Sequence, residues 1–272
     1  MINFGLLRRA LREMFPTTLL CAGFLALISC VLAAVLPDFQ ARTLKSLFVS
    51  PAVLQLRNVL LGMDASEGGV SDTAFAVAWS HPVVLILLLA QGVVACTRVP
   101  AGEIERGSLD MLLGLPISRR ELFLSETMAW AIGGVLTLGA IYAGSFIGAR
   151  FTLPEYRPHW GRLAMVLVNL GFVYAAVSAA GALASTLSDR RGRAVMVVLV
   201  VAVSSLLVNF LELIWESAKQ FSFLSFLHYY VPVRMLMNGA WPVHDLVVLG
   251  SIALALWVAA WTVMERRALT TL

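Results

Sequence analysis

The chain has 272 residues, of which 60% are hydrophobic and 13% are charged. Soluble domains contain roughly 45 to 50% apolar and about 25% charged residues, so this composition excludes an ordinary soluble domain and indicates an integral membrane protein. A net charge of +4 would suit nucleic-acid binding in a soluble protein. In membrane proteins, however, Lys and Arg mark the cytoplasmic loops, and we expect no nucleic-acid partner.

The N-terminal region predicts a surface helix followed by a first membrane span. In residues 1–15, apolar side chains surround Arg8, Arg9 and Arg12, a pattern typical of an amphipathic helix lying among the lipid headgroups of the inner membrane surface. Residues 17–36 are predominantly apolar and can cross a hydrocarbon core of about 30 Å. A signal peptide also has a basic stretch before an apolar one, but its apolar run is only about 7 to 15 residues long. The longer run here favours a retained span.

Five more apolar stretches complete a predicted all-α, polytopic membrane protein with six transmembrane helices in a single domain, residues 1–272. They lie at residues 74–97, 128–148, 163–187, 194–214 and 246–264. The dipeptide His81-Pro82 is expected to kink the second span near its outer end, because proline lacks the backbone donor that a helix needs. The longest polar connection, residues 37–73, contains an amphipathic piece at residues 53–61.

The distribution of Lys and Arg predicts the orientation. If both termini are cytoplasmic, the cytoplasmic segments hold twelve of the twenty Lys and Arg residues, although the outer connections are longer. The twelve are Arg8, Arg9, Arg12, Arg98, Arg106, Arg119, Arg120, Arg190, Arg191, Arg193, Arg266 and Arg267. Positive residues accumulate on the cytoplasmic side, so we expect a multi-pass protein of the inner membrane with both termini in the cytoplasm.

The chain offers few ionisable groups for chemistry inside the membrane. The strongest polar residues in the predicted spans are Gln91, Asn169 and Asn209. Secondary transporters and intramembrane proteases usually carry an intramembrane Asp, Glu or Lys, so the sequence argues against both classes. Small residues recur at every fourth position in the third and fourth spans and predict close packing, inside the subunit or across a dimer: Ala140, Gly144, Gly148, Ala176, Ala180 and Ala184.

Cysteine and histidine do not form a recognisable metal motif. Cys21, Cys30 and Cys96 are odd in number and lie in apolar stretches, as expected of small buried hydrophobic residues. The four histidines, His81, His159, His228 and His244, all fall toward the predicted outer face. A metal-delivery site there is conceivable, but their lack of a shared helical spacing favours ordinary interfacial histidines.

The most informative stretch is the connection between the second and third spans, residues 98–127. Leu109, Leu112, Leu113 and Pro116 follow a helical spacing, which predicts a short helix from about Ser108 with one apolar stripe. Pro116 ends this helix. An ordinary charged loop between two spans is the alternative interpretation.

A second helix is predicted to begin sharply after that proline. Ser118 and Glu121 have the spacing of a capping box, in which the serine hydroxyl accepts from the glutamate amide and the glutamate side chain accepts from the serine amide. The product is a short amphipathic helix, a rigid corner, and a long helix that enters the membrane.

This connection resembles the cytoplasmic coupling loop of ABC-2 type permeases of ABC transporters. The resemblance rests on the run Glu103-Ile-Glu105-Arg106-Gly107-Ser108-Leu109-Asp110-Met-Leu112-Leu113-Gly-Leu115-Pro116-Ile117-Ser118-Arg119-Arg120-Glu121. One position departs from the pattern, because the family often has Lys where Glu126 stands. The resemblance implies a coupling function for Glu103, Glu105, Arg106, Leu109, Leu112, Leu113, Pro116, Ser118, Arg119 and Glu121. It also implies that the leucines dock in a groove of an ATPase, with Glu105, Arg106, Arg119 and Arg120 as polar contacts.

The resemblance implies that the chain is a permease subunit that works as a homo- or heterodimer surrounded by lipid. Such a subunit is expected to export its substrate. The chain has only two lysines, Lys45 and Lys219, and no G-x-x-x-x-G-K-[ST] motif, so it lacks that phosphate-binding loop. We therefore expect no enzymatic activity and no cofactor in this chain, with ATP and Mg bound by a separate cytoplasmic ABC ATPase. The alternative is a non-transporting membrane anchor that recruits a cytoplasmic partner through the same loop.

Overall fold

The computed structural model describes residues 3–47, 70–114 and 116–267, and this part of the chain contains helices and no strand. The α-helices are α1 (Phe4–Leu47), α2 (Val70–Trp79), α3 (Pro82–Cys96), α4 (Leu109–Leu113), α5 (Arg119–Gly148), α6 (Trp160–Leu187), α7 (Arg191–Ile214), α8 (Pro232–Asn238) and α9 (Val243–Arg266). A π-helical segment, Arg98–Gly102, and a single α-helical turn, Glu103–Glu105, follow α3. Short 3-10 helices occupy Ala149–Phe151, Pro154–Tyr156, Glu216–Leu224 and Phe226–Tyr229.

The described helices fit a polytopic membrane protein. Five of them, α1, α5, α6, α7 and α9, are long and apolar enough to cross a membrane. Helix α3 passes the same test together with the segment that follows it, although the two are bent by 66°. If this bent pair is one span, the number is six, and the predicted all-α polytopic class is confirmed. The predicted amphipathic piece at residues 53–61 lies outside the described residues.

Helix α1 differs from the prediction of a surface helix followed by a separate span. It is one continuous helix that passes through Pro16 and Pro37. The reason is a single buried face that continues across the expected boundary at residue 15, formed by Leu6, Ala10, Met14, Thr18, Ala22, Leu25, Ser29 and Ala33. Because these residues recur every three or four positions, they bury one stripe of one helix. That packing outweighs the backbone bonds that the two prolines lack.

Helices α1 and α5 pack at very short distance. A Cβ atom added at Gly144 would lie 2.1 Å from the carbonyl oxygen of Ala26, and one at Gly148 would lie 2.2 Å from that of Cys30. Only glycine lets two helix backbones approach this closely. In α5, the predicted small-residue stripe therefore packs inside the subunit.

Helix α6 lies at the centre of the bundle, against α3, α5, α7 and α9. The single hydroxyl hydrogen of Tyr174 in α6 is shared between two acceptors, the side-chain oxygen of Gln91 at 3.0 Å from the hydroxyl oxygen and the carbonyl oxygen of Trp130 at 3.1 Å. Asn169 of α6 donates to the carbonyl oxygen of Tyr229 at 3.1 Å. Two of the polar residues predicted inside the spans thus join helices to each other, as buried polar groups must find partners.

The predicted kink at His81-Pro82 is present as a break between α2 and α3. Helix α3 begins at Pro82, and a side-chain nitrogen of His81 accepts from the amide of Val83 at 3.3 Å. Proline suits the first position of a helix because its missing N–H would have no partner there. His81 therefore caps α3.

The first and last described residues lie at the same end of the bundle as the connection between α3 and α5. Ser125 donates to the carbonyl oxygen of Asn3, and Arg119 donates to that of Arg267. We call this end, with the α6–α7 turn at residues 188–190, the basal end. It also holds the arginines that follow α3 and begin α7.

Candidate functional site

The basal connection begins with a sharp bend after α3. Val99 has an extended backbone (φ −128°, ψ 133°) inside the segment Arg98–Gly102, and all five residues of that segment are buried. The amide of Ala101 donates to the hydroxyl oxygen of Ser185 at 3.2 Å. The bend is therefore fixed on α6 rather than held loosely at the surface.

Glu103 is the buried residue that organises the turn before α4. Its side chain is 1% exposed and accepts hydrogen bonds from Arg9 at 3.1 Å and from the Ser108 hydroxyl group. Its carbonyl oxygen accepts from the Ser108 amide at 3.1 Å. Gly107 completes the turn with φ +70°, a conformation that glycine adopts without steric cost. Glu103 thus fixes the position at which α4 begins.

The apolar stripe of α4 faces the protein's own interior. Leu109 is 0% exposed and Leu112 is 7% exposed, whereas Met111 is 79% exposed. Both leucines pack inside the subunit in this conformation, and the docking of Leu109 and Leu112 in a partner's groove stays a prediction. Helical spacing identifies an apolar stripe but not the surface that covers it. The Leu113 side chain lies outside the described part.

The predicted corner after α4 is confirmed. Pro116 is exposed, and α5 begins at Arg119 with Ser118 as its N-cap. The hydroxyl oxygen of Ser118 accepts from the Glu121 amide at 3.2 Å, and the Ser118 amide donates to the Glu121 carboxylate at 3.0 Å. Both bonds of a capping box are therefore present, and the corner is joined rigidly to α5.

Three of the four charged residues predicted to face a partner are bonded within the chain. The Glu105 carboxylate accepts from the backbone amide of Arg191 at 2.8 Å. Arg119 donates to the carbonyl oxygen of Arg267 at 2.5 Å, and the Arg120 guanidinium pairs with Glu265 at 2.5 Å. These bonds join the basal connection to α7 and α9. Arg106, the fourth, is exposed.

A network of ion pairs, which the sequence did not predict, joins α1 to this connection. Arg98 binds both carboxylate oxygens of Glu126, at 2.5 and 2.6 Å, and also pairs with Glu13. Arg9 pairs with Glu13 at 2.7 Å and with Glu103 at 3.1 Å. We call these five residues the basal ion network. The only sequence signal for it was Glu126, which stands where the resembling pattern often has Lys.

Potential metal ligands are not gathered in the described ranges. Among residues 3–47, 70–114 and 116–267, no group of three or more His, Cys, Asp or Glu side chains is placed to hold a metal ion. His159 lies 3.8 Å from Asp72, and His244 lies 3.4 Å from Asp245. These histidines each adjoin one carboxylate.

At the basal end, the short helix α4 lies between the bent span formed by α3 and the segment after it, and helix α5, whose N-terminus is capped by Ser118. The chain matches the family model described as ABC-2 family transporter protein over residues 14–264. No curated protein and no solved structure matches it. Since the matched region covers nearly the whole chain, including the bundle and its basal connection, the chain belongs to the ABC-2 family of transporter proteins.

Proposed function

We propose that this chain is the permease subunit of an ATP-driven ABC transporter and that α4 is its coupling helix. The observation that carries the proposal is that the segments on both sides of α4 are fixed to the rest of the structure. Glu103 fixes its beginning and the Ser118 capping box fixes the corner after it, so a displacement of α4 is transmitted to α3 and α5. A helix held only by flexible loops would lose that displacement.

The surface offered to an ATPase is the outer edge of the basal connection. Met111 is 79% exposed, and Arg106 and Pro116 are also exposed. An exposed apolar side chain and an exposed positive charge on the same connection suit the centre and rim of a protein interface. Leu109 and Leu112 contribute by holding α4 against the bundle, and Arg119, Arg120 and Glu121 hold the corner.

The remaining parts of the proposal follow from the family and from the charge distribution. The basal end faces the cytoplasm of a cell with an inner membrane, because it carries the clustered arginines. ATP and Mg are bound by a separate ABC ATPase. Two permease subunits, identical or different, form the pathway within the lipid bilayer, and we expect export of a hydrophobic or amphipathic substrate, since the spans contain so few charged residues.

The test is affinity purification of the tagged chain in mild detergent, with identification of the accompanying proteins and an ATPase assay. We expect a stoichiometric ABC ATPase that is lost in Met111→Asp and kept in Met111→Leu, because only the first places a charge at the apolar centre of the interface. Leu112→Asp is a contrasting variant: it buries a charge inside the subunit and should reduce the yield of the folded chain itself.

Two outcomes contradict the proposal. If the unsubstituted chain carries no ATPase, or a partner of another class, the membrane-anchor function replaces the permease function. If Met111→Asp retains the ATPase at the original stoichiometry, α4 is not the docking element, even though the chain has an ATPase partner.

A further inference from the structure

The basal ion network forms an unbroken path from the start of α4 to α5 by way of α1. Ser108, at the start of α4, donates to the Glu103 carboxylate, and Arg9 of α1 binds the same carboxylate. Arg9 also binds Glu13 one turn further along α1. Each contact along this path is a hydrogen bond or an ion pair between charged or polar side chains, so α1 is tied directly to the α4 region.

The second half of the path returns from α1 to α5. Glu13 pairs with Arg98 in the bend after α3, and Arg98 grips Glu126 of α5 through two oxygens. The Arg98 and Glu126 side chains are 8% and 14% exposed. One terminal guanidinium nitrogen of Arg98 contacts both oxygens of Glu126 and the other contacts Glu13, so the buried guanidinium holds both carboxylates at once through charge-assisted hydrogen bonds. Separating them is unfavourable because it leaves a buried charge without its partner.

Helix α1 also has a weak point just beyond the network. Pro16 lies three positions after Glu13 and has no backbone N–H, so α1 lacks one of its intrahelical bonds there. On the far side of Pro16, α1 is packed against α5 through Gly144 and Gly148. Pro16 is therefore the point nearest the network at which α1 bends most easily.

We propose that residues 4–14 of α1 move together with α4 as one unit, linked by the basal ion network and hinged at Pro16. Arg9 and Arg98 are the positioning residues of this unit. The proposal rests on α4 being the coupling helix. Helices α3 and α5 receive the motion of α4 through the segments that connect them to it, and α1 is a third span that receives this motion. ATP-driven displacement of α4 then changes the tilt of the basal end of α1.

The experiment measures distances by double electron–electron resonance in the complex of the chain with its ATPase. Spin labels at Arg12→Cys and Leu187→Cys report α1, and labels at Met128→Cys and Leu187→Cys report α5; all three sites are exposed. The native cysteines are replaced by alanine, and labelled chain is diluted with unlabelled chain so that distances arise within one subunit. Spectra are recorded without nucleotide and after trapping with ATP and vanadate.

In the otherwise unsubstituted chain, both distances should shift on trapping. In Arg9→Met combined with Glu13→Gln, the α5 distance should still shift and the α1 shift should be lost. This double variant removes both links from α1 to the rest of the network, Arg9 to Glu103 and Glu13 to Arg98, and leaves the net charge unchanged. Glu103 keeps its bond from Ser108, and Arg98 keeps Glu126. Arg8→Met, an exposed arginine of the same turn, is the matched control and should keep both shifts.

The outcomes separate this inference from the proposed function. If α5 shifts and α1 does not, or if the α1 shift survives in the double variant, the linked unit is refuted while the coupling helix stands. If neither distance shifts, or no ATPase accompanies the chain, the proposed function itself fails. If the double variant does not assemble, the α1 distance of the unsubstituted chain still decides, because an α1 distance that does not shift while the α5 distance does refutes the linked unit.

Discussion

The contact between α1 and α5 predicts opposite effects for two glycine-to-alanine substitutions in the same helix. In Gly144→Ala, the new Cβ would lie 2.1 Å from the carbonyl oxygen of Ala26 and 2.8 Å from its Cα and carbonyl carbon atoms. Real Cβ contacts are essentially never shorter than 3.0 Å, and the neighbour is backbone. No side-chain rotation relieves the clash, so the helices must separate by about 0.9 Å along that direction.

Such a separation weakens the packing of the whole helix pair. Forcing a methyl group into a closely packed site typically costs about 1–3 kcal/mol. A gap of about 0.5–1 Å between two atoms in contact removes a quarter to a half of their dispersion energy. Gly139 of the same helix has nothing within 4 Å of its added Cβ. There, alanine should stabilise the fold by roughly 0.5–1 kcal/mol, because it restricts the unfolded chain.

The assay is thermal unfolding of the purified chain in detergent, followed by size-exclusion chromatography of what remains folded. At about 2–4 °C per kcal/mol for a chain of this size, Gly144→Ala should lower the unfolding temperature and Gly139→Ala should leave it unchanged or raise it. Equal unfolding temperatures for the two variants would refute the close approach of α1 to α5.

Two further predictions use the same assay. Ser118→Ala removes the capping box and should cost about 1 kcal/mol, whereas Ser251→Ala, at an exposed hydroxyl group within α9, should change little; equal losses would contradict a special role for the corner. Arg98→Met strands the carboxylate of Glu126 and should cost about 3–5 kcal/mol, and adding Glu126→Gln should recover part of that loss. Strictly additive losses would show that the two residues do not act as a pair.

Local patterns in the sequence predicted the elements that depend on neighbouring residues. The capping box joins Ser118 to Glu121, three positions away, so its two bonds follow from the local backbone once a helix begins there. The kink at His81-Pro82 likewise follows from the missing proline donor. The lengths of the apolar spans also follow from local sequence, because the hydrocarbon core sets a minimum length for each.

Local sequence patterns do not show which segment packs against a given face of a helix. The leucine spacing in α4 predicts an apolar stripe, but it does not show that Leu109 and Leu112 pack inside the subunit. For the same reason, the sequence predicts a surface helix and a separate span where the structure has the single helix α1. Both questions depend on which distant segments pack against a helix, and hydrophobic periodicity gives the direction of a face but not its neighbour.

The sequence by itself determined that this is a helical membrane protein and where the basal corner turns, because hydropathy, proline and capping act over a few residues. Only the tertiary structure decided that Arg9 meets Glu103 and that Arg98 meets both Glu13 and Glu126. These pairs lie 94, 85 and 28 positions apart in the chain. Such partners become neighbours only after α1, α3 and α5 have packed together, since charges separated by water are screened within about 10 Å.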